Sequence, residues 1–182
     1  MVRYTYHSPW RMGLGRWQHL CDTHNMKHLQ AMYEAQNQDK GYQELKKKTV
    51  VIGTWDDHEY GLTDCGVEFM AKKESQQEFL NFMDVPSDSP RRMQEGEYAS
   101  HKFDFPEWIK KVIILDTRYF RTALTPDTET KKQNKRNSYV EGTISENEQW
   151  QWLSDELNGS QADFNIIVNS ILVISNEHGF ET

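Results

Sequence analysis

The sequence predicts an α/β fold, in which helices lie on the faces of a β-sheet. Three short, mostly apolar runs, at residues 49–53, 111–116 and 164–174, are typical of strands buried in a sheet. Segments with helical spacing of their apolar residues separate these runs, and such alternation is the pattern of an α/β sheet. Aromatic residues make up 12% of the 182 positions, a content that disfavours a disordered chain.

Two of the expected helices come before the second of these runs. Asp22 or Thr23 can cap the first helix, and Gly41 is expected to end it. The second helix covers residues 72–83, and Pro86 follows its end. The side chains expected to face the core share one stripe on each helix, and they are Met26, Leu29, Met32 and Tyr33 in the first and Phe79, Leu80 and Met83 in the second.

A third helix is expected after a long polar stretch at 122–142, which is predicted to be a surface loop. Ser145 and Glu148 have the spacing of a capping box, and Gly159 is expected to end the helix. The stripe predicted to be buried consists of Trp150, Leu153 and Leu157. Residues 98–105 alternate loosely between aromatic and charged side chains, which suits a half-exposed strand.

Composition excludes several functional classes. A formal net charge of −7 disfavours a nucleic-acid-binding protein, which usually carries a basic patch. No apolar run approaches the roughly 20 residues that a membrane span needs, and residues 1–15 lack the apolar core of a signal peptide. Cys21 and Cys65 do not form a C-x-x-C pair, so they indicate neither a disulfide framework nor a zinc knuckle.

Four polar residues, Asp56, Asp57, His58 and Glu59, follow closely after the first predicted strand. In open α/β sheets, ligands bind just beyond the carboxyl ends of the strands. Adjacent carboxylates repel and raise one another's pKa, whereas a cation removes that cost, since carboxylate and imidazole are ligands for zinc, iron and manganese. The spacing alone leaves two interpretations open, a metal or catalytic site and a solvated turn with an N-cap aspartate.

The sequence around this cluster resembles that of a known protein family. Residues 52–66 read IGTWDDHEYGLTDCG and are similar to the W-D-D-H-[DE] signature, with its following glycines, of PhoD-like (alkaline phosphatase D) phosphatases. Three further stretches agree in the family's order: residues 116–121 with its D-T-R-x-x-R box, 148–153 with its Q-W-x-W-L helix and 166–171 with its I-I-x-S-S strand.

The resemblance implies a fold and a set of cofactors. PhoD-like phosphatases belong to the calcineurin-like metallophosphoesterase superfamily, so we expect a partial metallophosphoesterase β-sandwich flanked by helices, with N- and C-terminal parts missing. Residues 22–182 would form the central part of this domain, and residues 1–21 would be an irregular segment that does not match the family. The family suggests iron and calcium as the metal ions, and its cousins use zinc or manganese.

The resemblance also implies roles for the cluster. Asp57, together with Asp56, would bind metal ions. His58 would face the phosphate of a phosphate-ester substrate, where it would stabilise charge or protonate the leaving oxygen. Metal ions would bind the phosphate oxygens and generate hydroxide from water.

Four further residues are expected around this site. Arg118 follows a predicted strand, and two interpretations of it stay open: a clamp on the substrate phosphate and a salt bridge at the strand end. Asp116, Asp64 and Glu59 are expected to support the site by orienting loops or metal-bound groups. Trp55 is expected to pack beneath it.

The expected function is that of a metal-dependent phosphatase acting on phosphomonoesters or phosphodiesters. Two family motifs have no counterpart, however: residues 16–20 stand where a G-D-x-x-Y motif would be, and no S-G-D-R-H segment follows. We therefore expect little activity from this chain alone. The alternative is a non-catalytic binding or regulatory protein that keeps the fold, and the acidic charge disfavours a nuclease.

Overall fold

The computed structural model describes residues 23–126, 128–129, 134–135, 142–145 and 147–171. The segment 1–21, which we expected to be irregular, lies outside the described residues. The elements, with a short 3-10 turn at Pro90–Arg92 between the fourth helix and the first strand, follow in the order α1 (Met26–Gln38), α2 (Lys40–Lys48), α3 (Asp57–Tyr60), α4 (Lys72–Phe82), β1 (Ala99–Asp104), β2 (Ile109–Ile114), β3 (Thr125–Pro126), β4 (Asn134–Lys135), α5 (Asn147–Asn158) and β5 (Phe164–Val168).

The main sheet has three strands in the order β1-β2-β5. β1 runs antiparallel to β2, with Ala99 opposite Ile114, and β5 runs parallel to β2, with Ile166 opposite Val112. β3 and β4 form a separate antiparallel pair within the predicted surface loop. The prediction of a mixed α/β fold is confirmed at this level, whereas the described sheet is too small to form a sandwich.

Burial differs between the central and the outer strand. Val112, Ile113 and Ile114 of β2 are buried, as expected. The run at 164–174 also forms a strand, but the prediction that it is buried is wrong for its described part, because Phe164 and Ile167 are 57% and 46% exposed. Within the described residues β5 pairs with β2 alone and therefore lies at the edge of the sheet.

The prediction of a first buried strand at 49–53 is wrong. This run connects α2 to α3 without regular structure, and Val50 is 71% exposed. A strand is stable only when a neighbour pairs with its backbone, and no described strand lies against this run. Its β-branched residues give it strand propensity, but propensity cannot supply a partner.

The helical predictions are largely confirmed, with corrected ends. Leu29, Met32 and Tyr33 of α1 are buried. The cap of α1 is Asn25, which accepts a hydrogen bond from the Lys27 amide at 3.1 Å, rather than Asp22 or Thr23. Gly41 does not end the helical region, because Asp39 caps a second helix, α2, that contains Gly41.

An aromatic core joins α1, α4 and the segment that contains α3. The Trp55 ring lies 5.1 Å from the Tyr60 ring and 5.3 Å from the Phe79 ring, measured between centroids. Tyr33 stacks on Phe82 at 4.8 Å. Trp55 is fully buried, which confirms the expectation that it packs beneath the polar cluster.

The third helix turns a different face to the sheet than predicted. Leu153 of α5 packs on Ile113 and Leu115, but Trp150 and Leu157 are 44% and 38% exposed. Gln149, a polar residue, is buried in their place. In the part of the chain that the structure describes, no helix combines the length and apolarity that a bilayer crossing requires.

Candidate functional site

The polar cluster lies in a short segment, residues 55–61, that contains the one-turn helix α3. We call this segment the candidate loop. Asp56 caps α3, and Glu59 completes a capping box by accepting a hydrogen bond from the Asp56 amide at 3.2 Å. Gly61 ends the helix with φ of +147°, and a Cβ there would lie 2.5 Å from the Phe69 ring. Asp56, Glu59 and Gly61 therefore occupy their positions in the motif for a local structural reason, since they begin and end α3.

Side chains from two other helices fix the carboxyl end of the candidate loop. The Tyr33 hydroxyl of α1 donates to the Glu59 carbonyl at 2.7 Å, and the Ser75 hydroxyl of α4 donates to the Tyr60 carbonyl at 2.6 Å. The Tyr60 hydroxyl in turn donates to the Gly66 carbonyl at 2.9 Å. The bonds from Tyr33 and Ser75 satisfy two carbonyls, those of Glu59 and Tyr60, that a four-residue helix leaves without helical partners.

Asp116 fixes the amino end of the loop and is fully buried. Its Oδ1 accepts hydrogen bonds from the Trp55 indole at 3.0 Å, the Arg118 amide at 2.8 Å and the Tyr119 amide at 2.9 Å. Its Oδ2 accepts one from the Glu97 amide at 2.7 Å. Burial raises the pKa of the Asp116 carboxyl, against the opposing effect of these donors. These bonds tie Trp55 and the 116–119 turn together, and the supporting role of Asp116 in a site stays a prediction.

Arg118 lies directly beside the candidate loop. Its Nε donates to Asp56 Oδ1 at 3.0 Å, and Nη2 contacts the same oxygen. The Arg118 side chain is almost wholly buried, whereas that of Asp56 is 41% exposed. Of the two interpretations of Arg118 left open by the sequence, this geometry supports the salt bridge. Metal binding by Asp56 stays a prediction, and in the structure its carboxylate binds the guanidinium of Arg118.

Asp57 and His58 occupy the first turn of α3. Asp57 Oδ1 accepts a hydrogen bond from the His58 amide at 2.9 Å, and both residues are half-buried. His58 Nδ1 is buried and has no hydrogen-bond partner among the described residues; the same holds for the Thr54 hydroxyl. An imidazole nitrogen left in this state costs free energy unless a ligand or water satisfies it.

Glu59 points inward and is 7% exposed. Burial, and then the negative charge of Asp56, raise the pKa of the Glu59 carboxyl from 4.5 to about 7. The carboxyl is thus largely protonated between pH values of about 4.5 and about 7, where an ordinary glutamate is charged. It contacts the Asp56 backbone, and its supporting role in a site stays a prediction.

Asp64 acts through its backbone. The residue adopts a left-handed conformation with φ of 59°, and its carbonyl accepts a hydrogen bond from Arg121 Nη2. Arg121 is buried, and its own carbonyl accepts from the Val67 amide at 2.8 Å. The sequence did not single out Arg121, although it is the last residue of the box at 116–121 and this position was its only signal.

The described residues do not by themselves fit a complete metal site. No group of three or more His, Cys, Asp or Glu side chains able to hold a metal ion occurs among them. In the candidate loop, the possible metal-binding side chains that neither complete the capping box nor bind Arg118 are Asp57, whose Oδ1 also accepts the His58 amide, and His58. Two donors bind a cation weakly, since stable metal sites in proteins use at least three protein ligands.

A surface depression among the described residues lies away from the candidate loop. It has a volume of about 580 Å³, and it lies at the opposite end of β2 from Asp116. Its lining contains none of the predicted site residues and consists of Trp108, Lys110, Asp163, Phe164, Asn165 and Ile166.

Comparison with known proteins gives one match. Residues 66–181, more than half of the chain, match the family model described as PhoD-like phosphatase. The matched range contains the boxes at 116–121, 148–153 and 166–171, and it begins just after the candidate loop. No curated protein and no solved structure matches the chain.

Proposed function

Because the chain belongs to the PhoD-like phosphatase family, we propose that it carries part of a site for phosphate-ester hydrolysis, centred on the candidate loop. The observation that supports this is the state of His58. Its Nδ1 is buried and lacks a partner in the described structure, while its neighbours on both sides are fixed by hydrogen bonds. A rigid, partly desolvated imidazole is suited to proton transfer.

In this proposal His58 faces the substrate phosphate. As water attacks phosphorus, the bond to the leaving oxygen breaks, and that oxygen needs a proton. His58 supplies this proton or stabilises the charge that develops there, a role that contributes roughly 10²- to 10⁴-fold in other enzymes. Asp57 lies next to it and carries the negative charge expected of a metal ligand.

Arg118 has a supporting role in the proposal. Two of its donors are directed at Asp56, so the guanidinium keeps the capping residue of α3 in place and neutralises its charge. This assignment differs from a direct clamp on the substrate phosphate.

Metal ions are part of the proposal at the level of the family. Iron and calcium are the first candidates, with zinc or manganese as substitutes, and such an ion would supply positive charge and an activated water. Among the described residues Asp57 would be its donor, while Asp56 is bound to Arg118 and His58 is left to face the substrate. Because so few donors do not complete a site, we expect elemental analysis of the dialysed chain to find much less than one metal ion per molecule.

The test measures hydrolysis of p-nitrophenyl phosphate with each metal added in turn. We expect slow turnover, lowered about tenfold or more in Asp57→Ala and His58→Ala and unchanged in Asp163→Ala, which alters a residue at the other end of the sheet. Residual turnover that is the same in all three variants would reject the assignment. Robust metal-dependent hydrolysis would show instead that the chain holds a complete site.

A non-catalytic binding or regulatory protein is the second candidate, and the incomplete set of metal donors among the described residues favours it. Titration with inorganic phosphate, followed by NMR of the His58 ring, separates the two. A shift of His58 without any turnover indicates binding alone. If neither a shift nor turnover is found, both candidates fail at this loop.

A further inference from the structure

Gln149 of α5 is a buried polar residue with an unusual pair of partners. Only 1% of it is exposed. Its Oε1 accepts a hydrogen bond from the Asp116 amide at 2.8 Å, and its Nε2 donates to the Asp116 carbonyl at 2.9 Å. Nε2 also donates to the Ser145 hydroxyl. One side chain thus binds both backbone groups of one residue, 33 positions away.

A side-chain amide suits this place because it is donor and acceptor at once. The Asp116 amide can only donate and its carbonyl can only accept, so the two bonds fix which way the Gln149 amide is turned. Asp116 lies just past β2, where the sheet no longer pairs its backbone. Without Gln149 both groups would be buried and unsatisfied, which destabilises this backbone segment.

The contacts continue from Asp116 to the candidate loop by two routes. The Asp116 carboxylate accepts the Trp55 indole N–H, which holds the first residue of the loop. It also accepts the Arg118 amide, and the Arg118 guanidinium holds Asp56, the second residue of the loop. The residues that precede Asp57 and His58 are therefore both attached to Asp116.

We infer that Gln149 is a positioning residue for the candidate loop and acts through the backbone of Asp116. The inference rests on the proposed function of that loop, because positioning matters only if Asp57 and His58 act on a substrate. Gln149 touches neither residue and has no catalytic role of its own.

The test follows the indole N–H of Trp55 by NMR in ¹⁵N-labelled protein, with the resonance assigned by its loss in Trp55→Phe. Gln149→Met removes all three hydrogen bonds of the side chain, two to Asp116 and one to Ser145, and Gln149→Glu keeps an acceptor but loses the donor. Gln151→Met is the matched control, because Gln151 lies on the same helix, is exposed and bonds only to Asp155 among the described contacts. Hydrogen exchange of the β2 amides reports global stability in each variant.

In Gln149→Met we expect the Trp55 indole to exchange about tenfold faster relative to the β2 amides, and Gln149→Glu should lie between it and the wild type. Gln151→Met should leave the ratio unchanged. A merely structural role would accelerate Trp55 and β2 together, and this result would overturn the inference. It is also overturned if both Gln149 variants fail to fold while Gln151→Met folds.

This readout does not depend on phosphatase activity, so the two failures are distinguishable. If inorganic phosphate leaves His58 of the wild type unchanged while Gln149→Met still releases Trp55, the proposed function fails and the structural coupling stands. If phosphate shifts His58 and Trp55 is unaffected, the function stands and the positioning role of Gln149 is wrong.

Discussion

The guanidinium of Arg118 binds the carboxylate of Asp56 across 62 positions of sequence. The sequence leaves Arg118 open between a phosphate clamp and a salt bridge, and the family resemblance implies metal binding for Asp56; in the structure the two side chains bind each other. Asp116 fixes the backbone of Arg118, so the pair is held from the sheet side. The salt bridge therefore joins the candidate loop to the end of β2.

Asp56→Asn should lower the free energy of unfolding by about 1–3 kcal/mol, because the buried guanidinium of Arg118 would lose the charged acceptor of two of its donors. Urea denaturation followed by circular dichroism measures the change. Asp57→Asn is the matched control at the next position, and we expect a loss below about 0.5 kcal/mol. Equal losses in the two variants would show that the salt bridge does not stabilise the fold.

Glu59 should make stability depend on pH. Its pKa is about 7 in the folded chain and near 4.5 when unperturbed, so between these values the folded state holds a proton that the unfolded state has released. The free energy of unfolding therefore falls as pH rises through this window, by up to about 3 kcal/mol. Glu59→Gln mimics the protonated form and should lack this decline.

The comparison is made by urea denaturation in EDTA, at several pH values from below about 4.5 to above about 7. Glu107→Gln, at an exposed position after β1, is the control and should follow the wild type. A decline of the same size in Glu59→Gln would assign the pH dependence to other groups.

Gly66→Ala should be strongly destabilising, because the added Cβ would lie 2.2 Å from the carbonyl oxygen of Arg121. Backbone would have to move, and overpacking of this kind costs about 1–3 kcal/mol. In Gly53→Ala the new Cβ meets nothing within 4 Å, so we expect no loss. Thermal unfolding of the two variants tests this, and a Gly66→Ala melting temperature equal to that of Gly53→Ala contradicts the close approach.

Asp116→Ala should prevent stable folding. The change leaves four donors without their acceptor, the Trp55 indole and the amides of Glu97, Arg118 and Tyr119, at about 1–3 kcal/mol for each buried group. Since small domains have only about 5–15 kcal/mol of stability, the loss should be visible in the circular dichroism spectrum.

Asp163→Ala is the control for that variant. Asp163 Oδ2 accepts one exposed bond, from the Ile109 amide, so its loss should be small. A folded Asp116→Ala protein with nearly wild-type stability would mean that water replaces the lost acceptor.

Local sequence signals predicted α1 and β2. The stripe of Leu29, Met32 and Tyr33 has the helical period and is buried in α1, and the continuous apolar run at 111–116 is buried in β2. The run at 49–53 had equal strand propensity and failed, since pairing depends on a partner that the run itself does not encode.

The sequence indicated which residues form the candidate loop, but not which distant side chains bind to it. Asp57, His58 and Glu59 are neighbours in the chain, so the motif brings them together. Asp116 and Arg118 reach the loop only through the fold, across 61 and 62 positions. Gln149 was overlooked because helical patterning places apolar side chains inward, whereas here a backbone that leaves the sheet requires an amide.

The two hydroxyls that bind the carbonyls of Glu59 and Tyr60 come from α1 and α4, two helices that also contribute side chains to the aromatic core. Polar loops usually detach from a protein with little effort and are cut there first by proteases. The candidate loop can detach only if its hydrogen bonds to α1 and α4 break as well. Proteolytic cleavage within it should therefore follow the population of globally unfolded molecules.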